Sequence, residues 1–336
     1  MRSEVIKAIE KQGLVVRDSS MLDIYEKAYH LSGKTANILI HGESGTGKDC
    51  LAKFIHLSGN RAKQPFMHIN CNAIPTILFE SEMFGYDPGT FTGAIYAGKR
   101  GILESANHGT VFLDEIGDVS LANQVKLLQF LQNKTITRLG GSDSLALDVR
   151  IICATNKDLK TAVQQGLFRE DLYYRIRVVE FVLPPLRERP DDVQGLIELF
   201  VNMFAALTGE RKTFSEEAME FIKMQYWQGN VRELLNFVEK VNVLEKDQHI
   251  TLNMLKGKYN FSSDKEQNTK SLKAPGALTL KEALANYEKQ YIAGVIDQTD
   301  SLRAAAESLG INLSTLNRKK QQYGLYKQRN LGSAWK

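Results

Sequence analysis

The stretch ANILIHGESGTGKDCLAKFIHLSG (36–59) decides the fold, because it predicts a buried strand, a glycine-rich turn and a helix in direct succession. Glycines in the turn let the backbone bend tightly, so that successive N–H groups can point at phosphate oxygens. The helix dipole adds positive charge there, and Lys48 can reach the β- and γ-phosphates of a nucleotide. The turn therefore predicts a phosphate-binding loop, formed by Gly42, Glu43, Ser44, Gly45, Thr46, Gly47, Lys48 and Asp49.

Two acidic residues end a second apolar run, TVFLDE (110–115), and should lie at the carboxyl edge of a buried sheet. Asp114 would hold the shell of a Mg²⁺ ion through water, and Glu115 would orient and polarise the attacking water. Phosphate-binding loops generally carry Ser or Thr for the metal where this chain has Asp49, so the metal depends more on other carboxylates. The alternative is that the two acids only end a strand or cap a helix.

A third polar pair ends the run CATN (153–156). Thr155 and Asn156 could hydrogen-bond the γ-phosphate or the lytic water. Asparagine where a strand ends is also common turn chemistry, so this signal is weak by itself.

Short apolar runs alternate with helix-like stretches from about residue 36 to residue 156. PFMHIN (65–70) and VRIICATN (149–156) predict further strands, and SLANQVKLLQFLQ (120–132) predicts a helix. This alternation predicts an α/β fold with a parallel sheet covered on both faces. After LPPLRERPDD (183–192) we expect no further strands, and only helices to about residue 256.

The composition is that of an ordinary globular protein, with 43% hydrophobic and 24% charged residues. A net charge of +4 permits a nucleic-acid partner without arguing for one. No apolar run is long enough to span a membrane, and the charged N-terminus lacks the core of a signal peptide. Cys50, Cys71 and Cys153 have neither zinc-ligand nor redox spacing. We therefore expect three buried free thiols and a cytoplasmic location.

The C-terminal part follows a polar stretch, residues 258–277, whose composition is typical of a flexible linker. SLRAAAESLGINLSTLNRKKQQYG (301–324) has the outline of a helix-turn-helix, with a turn at Gly310 and Ser314 as the cap of the second helix. That helix suits the major groove of double-stranded DNA. Its candidate contact residues are Ser314, Thr315, Asn317, Arg318, Lys319 and Lys320. The alternative is a basic helix that touches only phosphates.

Leu313 and Leu316 on the same helix are assigned to the core. A preceding helix over residues 278–297 carries apolar residues near helical spacing, which could form a dimer face or simply core. These residues are Leu284, Tyr287, Tyr291 and Val295.

Taken together, these motifs resemble the bacterial enhancer-binding proteins, the AAA+ activators of sigma-54 RNA polymerase. The resemblance covers about residues 15–330, and its most specific element, GTFTGA (89–94), is similar to the GAFTGA loop of that family. Other segments match in the same order: GESGTGKD, NCNAIP, HGTVFLDEIGDVS, FREDLYYRI, LPPLRERPDDV and GNVREL.

The resemblance implies an AAA+ P-loop ATPase core, an α-helical lid and a separate Fis-type helix-turn-helix domain. It implies ATP and Mg²⁺ as cofactors, and a hexameric or heptameric ring that is a dimer when inactive. Its implied partners are sigma-54, RNA polymerase and double-stranded DNA at an upstream enhancer site. The expected boundaries are a short N-terminal segment (1–20), the core (15–179), the lid (180–257), the linker (258–277) and the DNA-binding domain (278–330).

The resemblance also implies roles for individual residues. Asn70 matches a switch asparagine that hydrogen-bonds the catalytic Glu115, and Thr155 and Asn156 match a first sensor. Arg232 in GNVREL matches a second sensor on the lid.

Arg169 and Arg175 match arginines that reach the nucleotide of the neighbouring subunit. A cation aimed at the γ-phosphate can raise the rate about 10³- to 10⁵-fold, and supplying it in trans makes hydrolysis depend on assembly. Without the resemblance, these two arginines would be taken as solvated surface charges.

Within GTFTGA, the resemblance implies that Phe91, Thr92 and Gly93 contact sigma-54. The sequence departs from the family at Thr90, where Ala is usual, and at Gln228, where Pro is usual. At most about 20 residues precede the core, so either a separate protein regulates it or the sequence is part of a longer chain. The competing hypotheses are a DNA-binding regulator whose nucleotide site only switches assembly, and an AAA+ remodeller of another substrate.

Overall fold

The computed structural model describes residues 2–90, 98–259, 288–289, 291–296, 299 and 301–324. The chain divides into two units, residues 1–264 and 265–336. Across the described ranges, no helix is long and apolar enough to cross a membrane.

A five-stranded parallel sheet lies at the centre of the first unit. Its strands are β1 (Ile38–His41), β2 (Phe66–Asn70), β5 (Thr110–Asp114), β8 (Arg150–Thr155) and β9 (Val179–Val182), in the spatial order β2-β5-β8-β1-β9. Three smaller pairs are β3 (Gly85–Tyr86) with β4 (Lys99–Arg100), β6 (Thr135–Thr137) with β7 (Ser144–Ala146), and β10 (Thr213–Phe214) with β11 (His249–Ile250).

Helices surround this sheet and continue beyond it. They are α1 (Arg2–Lys11), α2 (Ser19–Ser32), α3 (Lys48–Leu57), α4 (Phe79–Phe84), α5 (Ile102–Ser105), α6 (Leu121–Asn133), α7 (Leu159–Gln164), α8 (Glu170–Ile176), α9 (Pro190–Thr208), α10 (Glu216–Lys223), α11 (Asn230–Leu244) and α12 (Leu252–Lys258). Short 3₁₀ helices occupy Cys71–Ala73, Ile116–Asp118 and Leu186–Glu188.

Alternate side chains of each strand point to opposite faces of the sheet, and each face is covered by its own buried cluster. Ile38 and Ile40 join one core cluster with Phe112, whereas Leu39 joins a second cluster with Leu113. The predicted α/β fold with a covered parallel sheet is confirmed.

The strand β9 was not predicted. It pairs with β1 at the edge of the sheet, with Ile40 opposite Phe181. Only Phe181 of its four residues is buried, and the charged Glu180 interrupts the apolar run, so the sequence signal is weak. The sheet therefore continues past residue 179, where we expected the core to end.

The lid follows the sheet and has its own core, which includes Trp227, Leu234 and Phe237. It is not wholly helical, because β10 and β11 form a short parallel pair within it. Lys258 and Tyr259, which we assigned to the linker, belong to the lid. Tyr259 packs against Phe237 with ring centroids 5.5 Å apart. The ammonium group of Lys258 and the hydroxyl of Tyr259 both donate to the carboxylate of Glu245.

Two of the three cysteines are buried as expected. Cys71 and Cys153 lie in the core, and burial raises the pKa of the Cys71 thiol to about 12. Cys50 is exposed, contrary to the expectation. It lies in the first turn of α3 and lines a surface groove with Leu57 and Tyr29 rather than the core.

In the second unit, α13 (Leu302–Ser308) and α14 (Leu313–Gln322) form the predicted pair of helices. Gly310 between them has a φ of +64°, as the turn requires. Two expectations are wrong. The N-cap of α14 is Asn312 and not Ser314, and Leu313 is 41% exposed because it begins the helix on the solvent side. Leu316 is fully buried as expected.

Part of the helix preceding α13 lies within the described residues. Ile292 and Ile296 are its buried positions, whereas Tyr291 is 59% exposed and Val295 is half-buried. Leu284 and Tyr287 lie outside the described residues.

Candidate functional site

The glycine-rich turn connects β1 to α3 as predicted. Gly45 and Gly47 have φ values of +79° and +96°, which only glycine adopts without strain, and Gly47 caps α3. Lys48 is buried, and its ammonium group donates to the carbonyls of Gly42 and Glu43 at 2.9 and 3.2 Å. Its cationic group therefore lies within the turn of the loop.

Glu115 is held beside Lys48 at the end of β5. Its φ of +52° is unusual for a residue with a side chain. One carboxylate oxygen accepts from the backbone N–H of Asn156 at 3.1 Å, and the other lies 3.8 Å from Nζ of Lys48. The fold thus brings three of the predicted residues together: Lys48, Glu115 and Asn156, which follows β8.

Asp114 lies next to them, and one of its oxygens accepts from the N–H of Glu115 at 3.0 Å. The other oxygen lies 3.8 Å from Nε2 of His68. In the part of the chain that the structure describes, no three His, Cys, Asp or Glu side chains form a metal cluster. This donor set fits Mg²⁺, which commonly takes one or two protein carboxylates and completes its shell with phosphate and water.

Asn70 ends β2 directly beside Asp114 in the sheet register. Its side-chain oxygen accepts from the N–H of Asn72 at 3.0 Å and caps the following 3₁₀ helix. The expected hydrogen bond from Asn70 to Glu115 is absent among the described residues, where the backbone N–H of Asn156 donates to that carboxylate.

Thr155 connects β8 to the phosphate-binding loop. Its carbonyl accepts from the N–H of Gly42 at 3.2 Å, and its buried hydroxyl accepts from the N–H of Lys157 at 3.0 Å. The predicted first sensor, Thr155 with Asn156, therefore contacts both the loop and Glu115.

Arg232 reaches the loop from the lid. Its guanidinium donates to the hydroxyl of Ser44 at 3.0 Å, and the N–H of the neighbouring Val231 donates to the carbonyl of Gly45 at 2.9 Å. The predicted second sensor is thus at the nucleotide loop.

A buried charged pair that the sequence motifs did not predict supports the loop. Arg189 donates to the carbonyl of Thr46 at 2.6 Å and lies 3.5 Å from Asp192. Asp192 in turn accepts from the backbone N–H groups of Arg17 and Asp18. Burial lowers the pKa of Arg189 and raises that of Asp192. The charged run LRERPDD was a signal for this pair, but its partners are distant in sequence.

Arg169 and Arg175 lie at the two ends of α8. Arg169 pairs with Asp171 at 2.7 Å, and Arg175 donates to the carbonyl of Leu131 at 3.0 Å. Neither arginine bonds the phosphate-binding loop of its own chain among the contacts of the described residues.

The GTFTGA loop is described only as far as Thr90, and Phe91, Thr92 and Gly93 lie outside the described residues. The hydroxyl of Thr90 donates to the carbonyls of Asp87 and Leu139. Thr90 therefore lies at the stem of the loop and bonds the hairpin of β6 and β7.

Among the predicted DNA-contact residues of α14, Ser314, Asn317 and Arg318 are exposed, whereas Thr315 and Lys320 are half-buried. Lys319 was predicted to contact DNA, but its ammonium group bonds the carboxylate of Glu288 within the unit. This ion pair holds α14 against the preceding helix, so Lys319 does not extend freely toward a partner.

The sheet, the phosphate-binding loop, the Asp114–Glu115 pair and the lid define the chain as an AAA+ ATPase. Family models match three consecutive parts: a sigma-54 interaction domain at residues 14–182, an AAA+ ATPase lid domain at 187–272 and a helix-turn-helix domain at 277–326. The chain belongs to the family of sigma-54-dependent transcriptional regulators.

Curated relatives extend this result to transcription. The alginate biosynthesis transcriptional regulatory protein AlgB of Pseudomonas aeruginosa is 42% identical, over 93% of this chain and 68% of AlgB. The DNA-binding transcriptional regulator NtrC of Rhizobium meliloti is 38% identical, over 96% of this chain and 72% of NtrC.

Among solved structures, NtrX from Brucella abortus is similar with a TM-score of 0.70 and 28% identity, over 96% of this chain and 71% of that one. A structure of NtrX in complex with ATP has a TM-score of 0.67 and 30% identity, over 93% of this chain and 69% of that one.

Proposed function

We propose that this protein hydrolyses ATP in a ring of identical subunits and uses the energy to remodel the closed promoter complex of sigma-54 RNA polymerase. The observation that carries the proposal is the convergence of Lys48, Glu115 and Asn156 beneath the phosphate-binding loop. Family membership supplies the sigma-54 partner, and the helix-turn-helix match supports binding of upstream DNA.

In this proposal the loop amides and Lys48 hold the phosphates, and Glu115 takes a proton from the attacking water. Nζ of Lys48 lies 3.8 Å from the Glu115 carboxylate, so the cation that holds the phosphates and the base that faces the water are neighbours. Asn156 fixes the direction of that carboxylate through its backbone N–H. Mg²⁺, held through Asp114, would neutralise phosphate charge.

The roles assigned to other residues are part of the same proposal. Arg169 and Arg175 act on the nucleotide of the neighbouring subunit, and Arg232 acts on that of its own subunit. In another nucleotide state, Asn70 replaces Asn156 as the hydrogen-bond partner of the Glu115 carboxylate, and it relays that state to the GTFTGA loop. Phe91, Thr92 and Gly93 contact sigma-54.

On the DNA-binding helix, the contact surface is formed by Ser314, Asn317 and Arg318, with Thr315 and Lys320 at its margin. Support comes from the exposure of the first three side chains in the structure. A basic and amide-bearing helix face is the usual means of contact with a major groove.

The deciding experiment is capture of sigma-54 by the purified protein in the presence of ADP and a γ-phosphate transition-state analogue. We expect a complex that requires the analogue and is lost in Thr92→Ala, whose ATPase activity stays largely intact. If wild-type protein hydrolyses ATP but captures no sigma-54, the motor function is wrong, and the alternative of an assembly switch acting on ordinary polymerase takes its place.

A further inference from the structure

The side chain of Glu43 points from the phosphate-binding loop toward the lid. Its two carboxylate oxygens accept from the guanidinium of Arg187 at 2.7 and 2.9 Å, in a bidentate pair. One oxygen also accepts from the side-chain amide of Asn230 at 3.2 Å. A residue of the loop is therefore engaged by two separate elements, the start of the lid and the first residue of α11.

Both partners of Glu43 are firmly placed. Arg187 lies over the ring of Tyr226, with its guanidinium carbon 4.7 Å from the ring centroid. Asn230 is fully buried; its amide also donates to the carbonyl of Ser44 at 3.0 Å, and its oxygen accepts from the N–H of Leu186 at 2.7 Å. The lid thus presents two pre-positioned donors to one carboxylate.

The lid and the loop also touch through their backbones at this point. A Cβ atom on Gly45 would lie 2.4 Å from the carbonyl oxygen of Gly229. Only glycine at position 45 therefore lets the two backbone segments approach each other this closely. The N-terminus of α11 therefore covers the loop whose amides would hold the phosphates. Any separation of the lid from the loop must break the bonds of Glu43.

We propose that Glu43 is a latch between the phosphate-binding loop and the lid, a positioning residue that controls how fast nucleotide leaves. This inference rests on the nucleotide binding proposed above. The side chain of Glu43 is 44% exposed, so solvent screens the pair and the latch can open during a catalytic cycle. The side chain of Glu43 acts through Arg187 and Asn230.

The latch is tested by the release rate of a fluorescent ADP analogue, measured by stopped flow for wild type, Glu43→Gln, Arg187→Met and the double variant. Met keeps an alkyl contact with Tyr226 but removes the guanidinium. We expect each single variant to release the analogue about 3- to 10-fold faster. The double variant should be no faster than either single one, because both changes remove the same interaction.

The matched control is Glu220→Gln, which removes an ion pair with Lys223 on α10 of the lid. Its release rate should equal that of wild type. Added salt should accelerate release from wild type more than from Glu43→Gln, because only wild type has the ion pair to screen. A merely structural role of Glu43 would not produce this difference.

Unchanged release in both single variants, or accelerations that multiply in the double variant, would overturn the latch. The readout needs neither hydrolysis nor sigma-54. A protein with the expected release rates that fails to capture sigma-54 would therefore contradict the proposed motor function and leave the latch standing.

Discussion

At the scale of single residues, Glu115 combines an unusual backbone conformation with a fixed carboxylate. Its φ of +52° costs free energy, and such conformations are found where the surrounding structure holds a functional group in place. Lys48 on one side and the N–H of Asn156 on the other provide that hold. The geometry suits a base that must be directed at one water molecule.

We expect Glu115→Gln to bind ATP as wild type does but to hydrolyse it at least about 100-fold more slowly, because the amide cannot accept a proton. Binding is measured with a fluorescent ATP analogue and hydrolysis by phosphate release. The control is Asp118→Asn, because Asp118 lies in the same turn and its carboxylate pairs with Lys157. Hydrolysis at the wild-type rate by Glu115→Gln would remove Glu115 from the mechanism.

Thr90 has a structural role that its position in GTFTGA did not indicate. Its hydroxyl donates to two carbonyls, and its side chain packs against Gly140, where a Cβ would lie 2.5 Å from the hydroxyl oxygen. We expect Thr90→Ala to lower the free energy of unfolding by about 1 kcal/mol, as measured by urea denaturation. Thr90→Ser keeps the hydroxyl and should retain most of that stability. Equal losses in both variants would argue for the methyl group instead.

At the scale of elements, α14 has one buried side and one exposed side. Leu316 is fully buried, whereas Arg318 is exposed on the same helix. We expect Leu316→Ala to cost about 2–5 kcal/mol of stability and so to abolish DNA binding by unfolding the small domain.

Arg318→Ala should weaken DNA binding with the helix content unchanged, as seen by circular dichroism and fluorescence anisotropy of labelled DNA. Because each lost phosphate contact lowers the number of counterions released, its salt dependence should also become shallower. An Arg318→Ala variant that binds DNA as tightly as wild type would move the contact surface to another face. Both variants should keep their ATPase activity, since the ATPase core and lid lie in the other unit.

At the scale of the whole molecule, the arginines of α8 test whether the active unit is a ring. Arg175 contacts the carbonyl of Leu131 in its own chain, and within the described part of the chain it does not bond the phosphate-binding loop. If it acts on a neighbour, Lys48→Ala and Arg175→Ala should each be inactive alone. Mixed together, they should recover ATPase activity, because an intact loop then meets an intact arginine. A mixture as inactive as its components would contradict action in trans.

The sequence determined the parts of this protein that depend on neighbours along the chain. Glycines at 45 and 47 are needed for the positive φ angles of the loop, and the apolar run before Asp114 forms a strand that ends at the sheet edge. These features follow from steric limits on the backbone and from a continuous apolar run, which are local properties. The phosphate-binding loop, the Asp114–Glu115 pair and the Thr155–Asn156 pair were therefore recognisable in this order along the sequence, and so was the family.

Only the tertiary structure decided which side chains meet across long separations. Glu115 accepts a hydrogen bond from Asn156 and not from Asn70. Glu43 pairs with Arg187, and Lys319 pairs with Glu288. The edge strand β9 has a weak pattern and forms because β1 offers it unpaired backbone groups. Such contacts depend on how whole elements pack, because packing determines which polar groups are left without water and must find partners in the protein.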